Sequence, residues 1–586
     1  MLRSLKSKSF VISRRCGSGS SSSSCCCTSF FSTTTGDTTT TAPSASSLTS
    51  PSSSPDAAKI ASRLGVGSHK WSSVDRQRYL DIVHTAIANG ITTIEVGQDG
   101  GDVLMSEVLS TIASNDTASS GLPTVELLQR VGYRTLAKNK QGLLGDKQVE
   151  EEQDTPQKTG ITVQHNITKP ALKAALHDSY LSHAPSPKWK TQRTLLLHNP
   201  EVQVDETLKS TQRQEKMREI LRESFLYLQE ACLQQKEHDQ QGTTTTTNTT
   251  NGTTKSTKHH NMIGYGVVSN GLGLPDNHPL HLSWTDAVLP ALQDVQSTLS
   301  MESSLDFRAL QLPANLLETN GIAVARQVDS DRTALPDLLG RLQIMAMRPL
   351  TCYPDLGTGD GKPFVLADYQ LPATMDKTLQ WTHEMTQPPV AYQMALRTTM
   401  AHFDATEILE LKQQGVDLTT EQRETLDGCK LMQSLLHDVD ASLEKVRSFA
   451  QHEQDVFQRI IPLIHDTFEG YDEETAQVLQ SFFGAYSLAV RYAIAKNTRH
   501  VLVHGEGDKN RAPKYPDLSP DVRLQEYALQ FLLEAGPLDK LLVGFSEADQ
   551  ILQDMDIVHK YYVEKSSPSS SSSSSSASPD VPESKE

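Results

Sequence analysis

Short apolar runs alternate with amphipathic stretches over much of the chain. Residues 60–67 read as a first strand. Residues 74–89 follow, with Tyr79, Ile82, Val83, Ala86 and Ile87 at the three- and four-residue spacing of a buried helix face. The strand pattern returns at 92–96 (TTIEV), 125–132 (VELLQRVG), 194–198 (TLLLH), 262–269 (MIGYGVVS), 307–312 (FRALQL), 344–350 (IMAMRPL) and 540–544 (KLLVG). Helical spacing fills the gaps at 103–113, 170–181, 216–235, 284–299, 334–342, 524–535 and 547–563, and Pro170 stands where a first helical turn tolerates it. About eight strand and helix alternations are what a closed (β/α)8 TIM barrel requires. An open, doubly wound sheet normally carries a Gly-rich phosphate loop after its first strand, and LGVGSHKWSS lacks that pattern.

The alternation stops between about 355 and 520, where long helical patterns take over at 407–413, 421–449 and 474–496. This predicts a large helical insertion between the seventh strand and the last barrel unit, serving either as a cover for the site or as a docking surface for a protein partner. Two polar stretches, 138–160 and 234–261, read as loop expansions. His238, His259 and His260 in or near the threonine tract read as solvated loop residues rather than metal ligands. The predicted organisation is α/β. A transit peptide or disordered segment (1–55) precedes the first part of the barrel (56–354), followed by the helical insertion (355–520), barrel completion (521–564) and a disordered Ser-rich tail (565–586).

Composition narrows the function classes. The 586 residues carry a formal net charge of −17, which opposes nucleic acid or an anionic membrane as a general partner. No run approaches the roughly 18 apolar residues of a membrane span. Of seven cysteines, Cys16, Cys25, Cys26 and Cys27 crowd the N-terminus and Cys232, Cys352 and Cys429 are scattered, a pattern that supports neither a disulfide framework nor a zinc site. The first segment has Arg3, Lys6, Lys8, Arg14 and Arg15 and no acidic residue before Asp37. A mitochondrial address is expected from it, with plastid or cytoplasm as alternatives.

Particular stretches resemble the aldo-keto reductase family. LGVGSHKWSSVDRQRYLDIVHTAIANGITTIEVGQDGGDVLMSE resembles its opening, LLQRVGYR its third strand, TLLLHNPE its fourth, YGVVSNGL its fifth and LQLPANLLE its sixth. YALQFLLEAGPLDKLLVGFSEADQILQDM resembles the helix, strand and phosphate-binding turn that finish the barrel. The resemblance implies hydride transfer between NADP(H) and a small aldehyde or ketone, with a tyrosine as proton donor, a lysine and an aspartate tuning it, and a histidine polarising the carbonyl.

Carried over position by position, Glu95 falls where the family has the aspartate, Arg130 where it has the lysine, and His198 matches the histidine. The tyrosine position falls at or next to Gly100, where no phenol exists, so the implied tetrad is degenerate. Tyr133 reads as a structural residue of the third strand. Ser269, Asn270 and Gln311 match the groups that bind the nicotinamide amide, Met347 replaces a stacking aromatic, and Gly544 and Ser546 fall in the phosphate turn. That turn lacks an arginine, and Glu547 would repel a 2′-phosphate, so NAD(H) stands beside NADP(H) as a cofactor. Two functions follow: an NAD(P)-dependent reductase with a substitute acid, or a catalytically impaired barrel acting as a nucleotide-binding or protein-interaction scaffold.

Overall fold

A computed structural model describes residues 55–67, 76–97, 101–115, 122–137, 161–177, 179, 181, 188–242, 262–300, 304–353, 363–369, 388–452, 456, 458–467, 473–505 and 514–566. The strands, numbered in chain order, are β1 (Leu64–Val66), β2 (Thr93–Val96), β3 (Thr124–Val131), β4 (Tyr133–Ala137), β5 (Ile161–His165), β6 (Lys190–His198), β7 (Met262–Val268), β8 (Phe307–Pro313), β9 (Gln343–Met347), β10 (Thr351–Cys352), β11 (Phe364–Val365) and β12 (Lys540–Val543). Eight of them close in the order β1-β12-β9-β8-β7-β6-β3-β2, each neighbour parallel. The chain folds as a (β/α)8 barrel.

Alternation along each strand sorts the side chains. Leu128, Leu196, Val268, Ala309, Met345, Met347 and Leu542 form one buried cluster inside the barrel. Their neighbours, such as Leu127, Leu195, Leu197, Leu310, Leu312, Leu541 and Val543, belong to the larger core beneath the surrounding helices. Below the inner cluster, Lys540 Nζ lies 3.1 Å from Glu126 Oε2 and also bonds Thr93 Oγ1, which plugs the end of the barrel where the strands begin. One period above it, at the C-terminal ends of the strands, stand Glu95, Arg130, His198 and Gln311, all buried. The strand period therefore delivers polar groups to the mouth and apolar ones to the middle.

Several elements differ from their sequence pattern. The chain enters through a helix, Pro55–Ser62, so β1 starts at Leu64 rather than at Ile60, and Ile60 packs its side chain into the core from that helix. The helix expected at 334–342 is instead Asn320–Ala334, and only the short Pro336–Leu339 turn follows it. Pro336 has no N–H to continue a helix and starts a new one. Helix Ser210–Gly242 runs past Gln234 into the stretch read as loop, because QQKEHDQQ is rich in Gln, Lys and Glu, which favour helix; residues 243–261 lie outside the described residues.

Between β9 and β12 the helices Pro388–His402, Thr420–Leu443, Phe449–His452, Ile460–Thr467 and Glu473–His504 gather around Tyr392, Leu436, Phe482 and Tyr486, while helix Thr406–Gln413 packs Ile408 against Leu418 and Leu426. Helix Glu473–His504 starts in that core, and its Val501 and Leu502 pack into the barrel's own. Among the described residues no helix is long and apolar enough to cross a membrane.

Candidate functional site at the barrel mouth

Glu95, Arg130 and His198 end neighbouring strands, and the barrel brings them into one chain of contacts. Arg130 Nε donates to Glu95 Oε1, and Arg130 Nη1 lies 3.3 Å from His198 Nε2. A guanidinium has only donors, so in this contact the imidazole nitrogen is the acceptor and the remaining proton sits on Nδ1. Burial pushes the Glu95 carboxyl above its ordinary range, although the charge and hydrogen bond of Arg130 pull it down.

Beside this chain lies a group the sequence pattern did not reveal. Strands β4 and β5 form an antiparallel hairpin whose ends, at Tyr133 and His165, are register partners. The expansion at 138–160 leaves from its far end and lies outside the described residues. His165 Nε2 is 2.7 Å from the His198 carbonyl oxygen, and Gln203 Nε2 is 2.7 Å from His165 Nδ1. Nε2 must therefore carry the proton it donates to His198 O, and Nδ1 accepts from Gln203. Burial lowers the His165 pKa, which agrees with a neutral ring. Tyr133 packs edge-on against both imidazoles, 4.5 Å from His165 and 5.0 Å from His198 between ring centroids.

Gly132 makes the hairpin possible. Its φ is +153°, and a Cβ there would come within 2.9 Å of both His165 Nε2 and the His198 carbonyl oxygen.

The loops after β6 and β7 are tied to each other. Asn199, with φ of 48°, accepts from the Asn270 amide at 3.1 Å and donates from Nδ2 to the Tyr133 hydroxyl oxygen at 3.3 Å. Glu201 accepts from Ser269 Oγ at 2.8 Å and from the Gly271 amide at 2.9 Å. Burial drives its carboxyl up to about 7 against those bonds. Ser269 donates its backbone N–H to the Gln311 carbonyl at 3.2 Å, which places Ser269, Asn270 and Gln311 together.

The Gln311 side chain is different from its surroundings. It is fully buried, and neither Oε1 nor Nε2 has a hydrogen-bond partner. Gly544 and Ser546 follow β12, two strands around the barrel from β8. There Gln550 Oε1 accepts from the Ser546 and Glu547 amides at 2.8 and 3.3 Å, and Glu547 lies 3.9 Å from Arg78. Gly100, the position implied for a tyrosine, lies outside the described residues. Among the described residues no group of three or more His, Cys, Asp or Glu side chains could hold a metal ion.

No protein-family model and no curated protein sequence matches this chain. Among solved structures, a glycerol dehydrogenase from Gluconobacter oxydans is similar over 86% of this chain and 90% of that one, at 9% identity and a TM-score of 0.31. A likeness that slight adds nothing to the barrel geometry.

Of the residues missed by sequence reasoning, Asn199 and Glu201 follow His198 directly in LLLHNPE and were within reach. His165 was not, since 31 residues separate it from Tyr133 and only strand pairing joins them.

Proposed function

We propose that this chain is a nicotinamide-nucleotide-dependent oxidoreductase of the aldo-keto reductase type, acting on a small aldehyde or ketone at the barrel mouth. The observation that carries this reading is the Gln311 amide, buried with both polar atoms unpaired. Leaving such a group unsatisfied costs about 1–3 kcal/mol. A second carboxamide would satisfy both atoms at once, donor to acceptor and acceptor to donor. The nicotinamide amide is such a group, and Ser269 and Asn270 would flank it. Ser269 Oγ donates to Glu201 and keeps its acceptor capacity. Met347 and Leu542 belong to the apolar layer that would lie under the ring.

Gly544 and Ser546 would hold the phosphates at the N-terminus of helix Ala548–Ser566, a phosphate replacing the Gln550 side chain now bound there. Glu547 opposes a 2′-phosphate, and both NADP(H) and NAD(H) remain cofactors of this reading. The bound nucleotide supplies or accepts a hydride. The chain's own part is electrostatic: Arg130 and His198 would set positive charge and oriented dipoles beside the oxygen on which negative charge develops, and Glu95 would fix Arg130.

Titrating the full-length chain with NADPH and then NADH, following quenching of tryptophan fluorescence, tests the reading. Saturable binding of either that is lost in Gln311→Met supports it. No binding of either at millimolar nucleotide would overturn it.

A further inference from the structure

We propose that His500 and His504 form a site for a divalent transition-metal ion, which clamps the turn where the helical insertion rejoins the barrel. The site is independent of the nucleotide reading above.

The two residues stand four apart at the end of helix Glu473–His504, so their side chains leave the same face. Their imidazoles are 4.7 Å apart between ring centroids, with the planes at 47°. Both residues are exposed, and among the described residues no hydrogen bond or ion pair engages either ring. The buried contacts at this end of the helix come from Thr498, Val501 and Leu502, which the helical period puts on the opposite side. Packing therefore gives no reason for imidazoles here, and histidine is a poorer helix former than the Gln, Lys or Ala that an exposed position accepts.

Ligand chemistry supplies a reason. Neutral imidazoles each offer a nitrogen lone pair, and two such nitrogens bound to one ion lie about 3 Å apart. Rotation of the exposed side chains brings rings with this spacing to that separation. Two histidines four apart on one helix face hold zinc in this way. The negative end of the helix dipole also favours a cation here. Gly505 closes the helix with φ of 78° and donates its N–H to the Val501 carbonyl at 2.9 Å. With two protein ligands, water completes the coordination and the ion binds reversibly. Imidazole nitrogen selects Cu²⁺, Ni²⁺ and Zn²⁺ over the oxygen-seeking Mg²⁺ and Ca²⁺.

The turn spanned by the ion is a junction. Leu502 packs in the barrel core, and its carbonyl accepts from the Lys514 and Tyr515 amides at 3.2 and 3.0 Å. Lys514 Nζ and the Tyr515 hydroxyl in turn donate to the Leu317 and Leu316 carbonyls, in the loop after β8, at 2.9 and 2.8 Å. A chelate across His500 and His504 keeps this last turn from fraying and so tightens the contact of insertion with barrel.

The test titrates the untagged full-length chain with Ni²⁺ and separately with Mg²⁺ by calorimetry, beside His500→Gln, His504→Gln and the double variant. The chain has 19 histidines, and the variants separate this pair from the others. The unaltered chain should bind one Ni²⁺ that each single variant binds at least about tenfold more weakly. The double variant should lose no more than that one ion, because removing either half already destroys a chelate. Amide hydrogen exchange at residues 502–505, 514 and 515 should slow severalfold in Ni²⁺ for the unaltered chain and not for the variants. Single variants that titrate like the unaltered chain, a loss in only one of them, or losses that add in the double variant would overturn the site. Mg²⁺ binding removed by the same substitutions would overturn its assignment to a transition metal. Ni²⁺ bound with exchange unchanged would overturn the clamp.

Discussion

On the β2–β3–β6 side of the barrel mouth, Glu95, Arg130 and His198 satisfy one another. Across the mouth on β8, the Gln311 side chain is as deeply buried and its amide hydrogen-bonds to nothing. Both arrangements sit one strand period above the same apolar layer. The first is held together without a ligand, because Arg130 meets an acceptor on each side. The second carries an unmet desolvation cost, and a protein retains such a cost where a bound molecule removes it. Order on one side and vacancy of bonding on the other are what a preorganised binding site requires.

Breaking the satisfied side should have the largest effect. Arg130→Met leaves the Glu95 carboxyl buried without its cation and should cost about 3–5 kcal/mol in urea unfolding. Since burial already raises the Glu95 pKa and Arg130 opposes that rise, the deficit should shrink at acid pH, where the carboxyl is protonated. A deficit that does not change with pH would mean that Arg130 acts by packing alone.

Glu201 lies between the two sides and gives the next effect. Its folded pKa of about 7 is raised from 4.5, so the native state binds the proton more tightly than the unfolded chain. Its stability contribution is fully present below pH 4.5 and is lost as the pH rises through about 7. Glu201→Gln keeps an acceptor for Gly271 and should remove up to about 3 kcal/mol of that pH dependence, read as a flatter Tm profile across the window.

Gly132→Ala should cost about 2 kcal/mol, through a strained backbone and a Cβ pressed on His165 and His198. It should also expose the hairpin in amide hydrogen exchange. The smallest expected change sharpens the contrast from the other side: Gln311→Met removes the unpaired amide and should stabilise the ligand-free chain by about 1 kcal/mol. The same variant should lose nucleotide binding at least about tenfold. Stabilisation without loss of binding would separate Gln311 from the site.

The barrel was legible because its strands are short apolar runs bounded by polar residues, and the inner and outer faces obey a period of two. Glu95, Arg130, His198, Ser269, Asn270 and Gln311 were legible as residues at strand ends. Their contacts were not. Arg130 between Glu95 and His198 depends on how β2, β3 and β6 are staggered, and the hairpin that brings His165 and Tyr133 to His198 is paired across a 23-residue polar expansion. The helix Asn320–Ala334 was missed because its buried residues, Ile322, Ala325 and Val328, are few among polar ones.

By itself the sequence determined the repeating unit, the strand ends and the chemistry available there, because local periodicity and residue type are written along the chain. The tertiary structure decided which of these groups are satisfied and which are not. Hydrogen-bond partners at the mouth come from different strands and loops, so the neutral His165, the Glu201 carboxyl pushed to about 7 and the unpaired Gln311 amide exist only once the barrel has closed. Burial and pairing are properties of that closure, and they set both the pKa values and the bonding left open at the Gln311 amide.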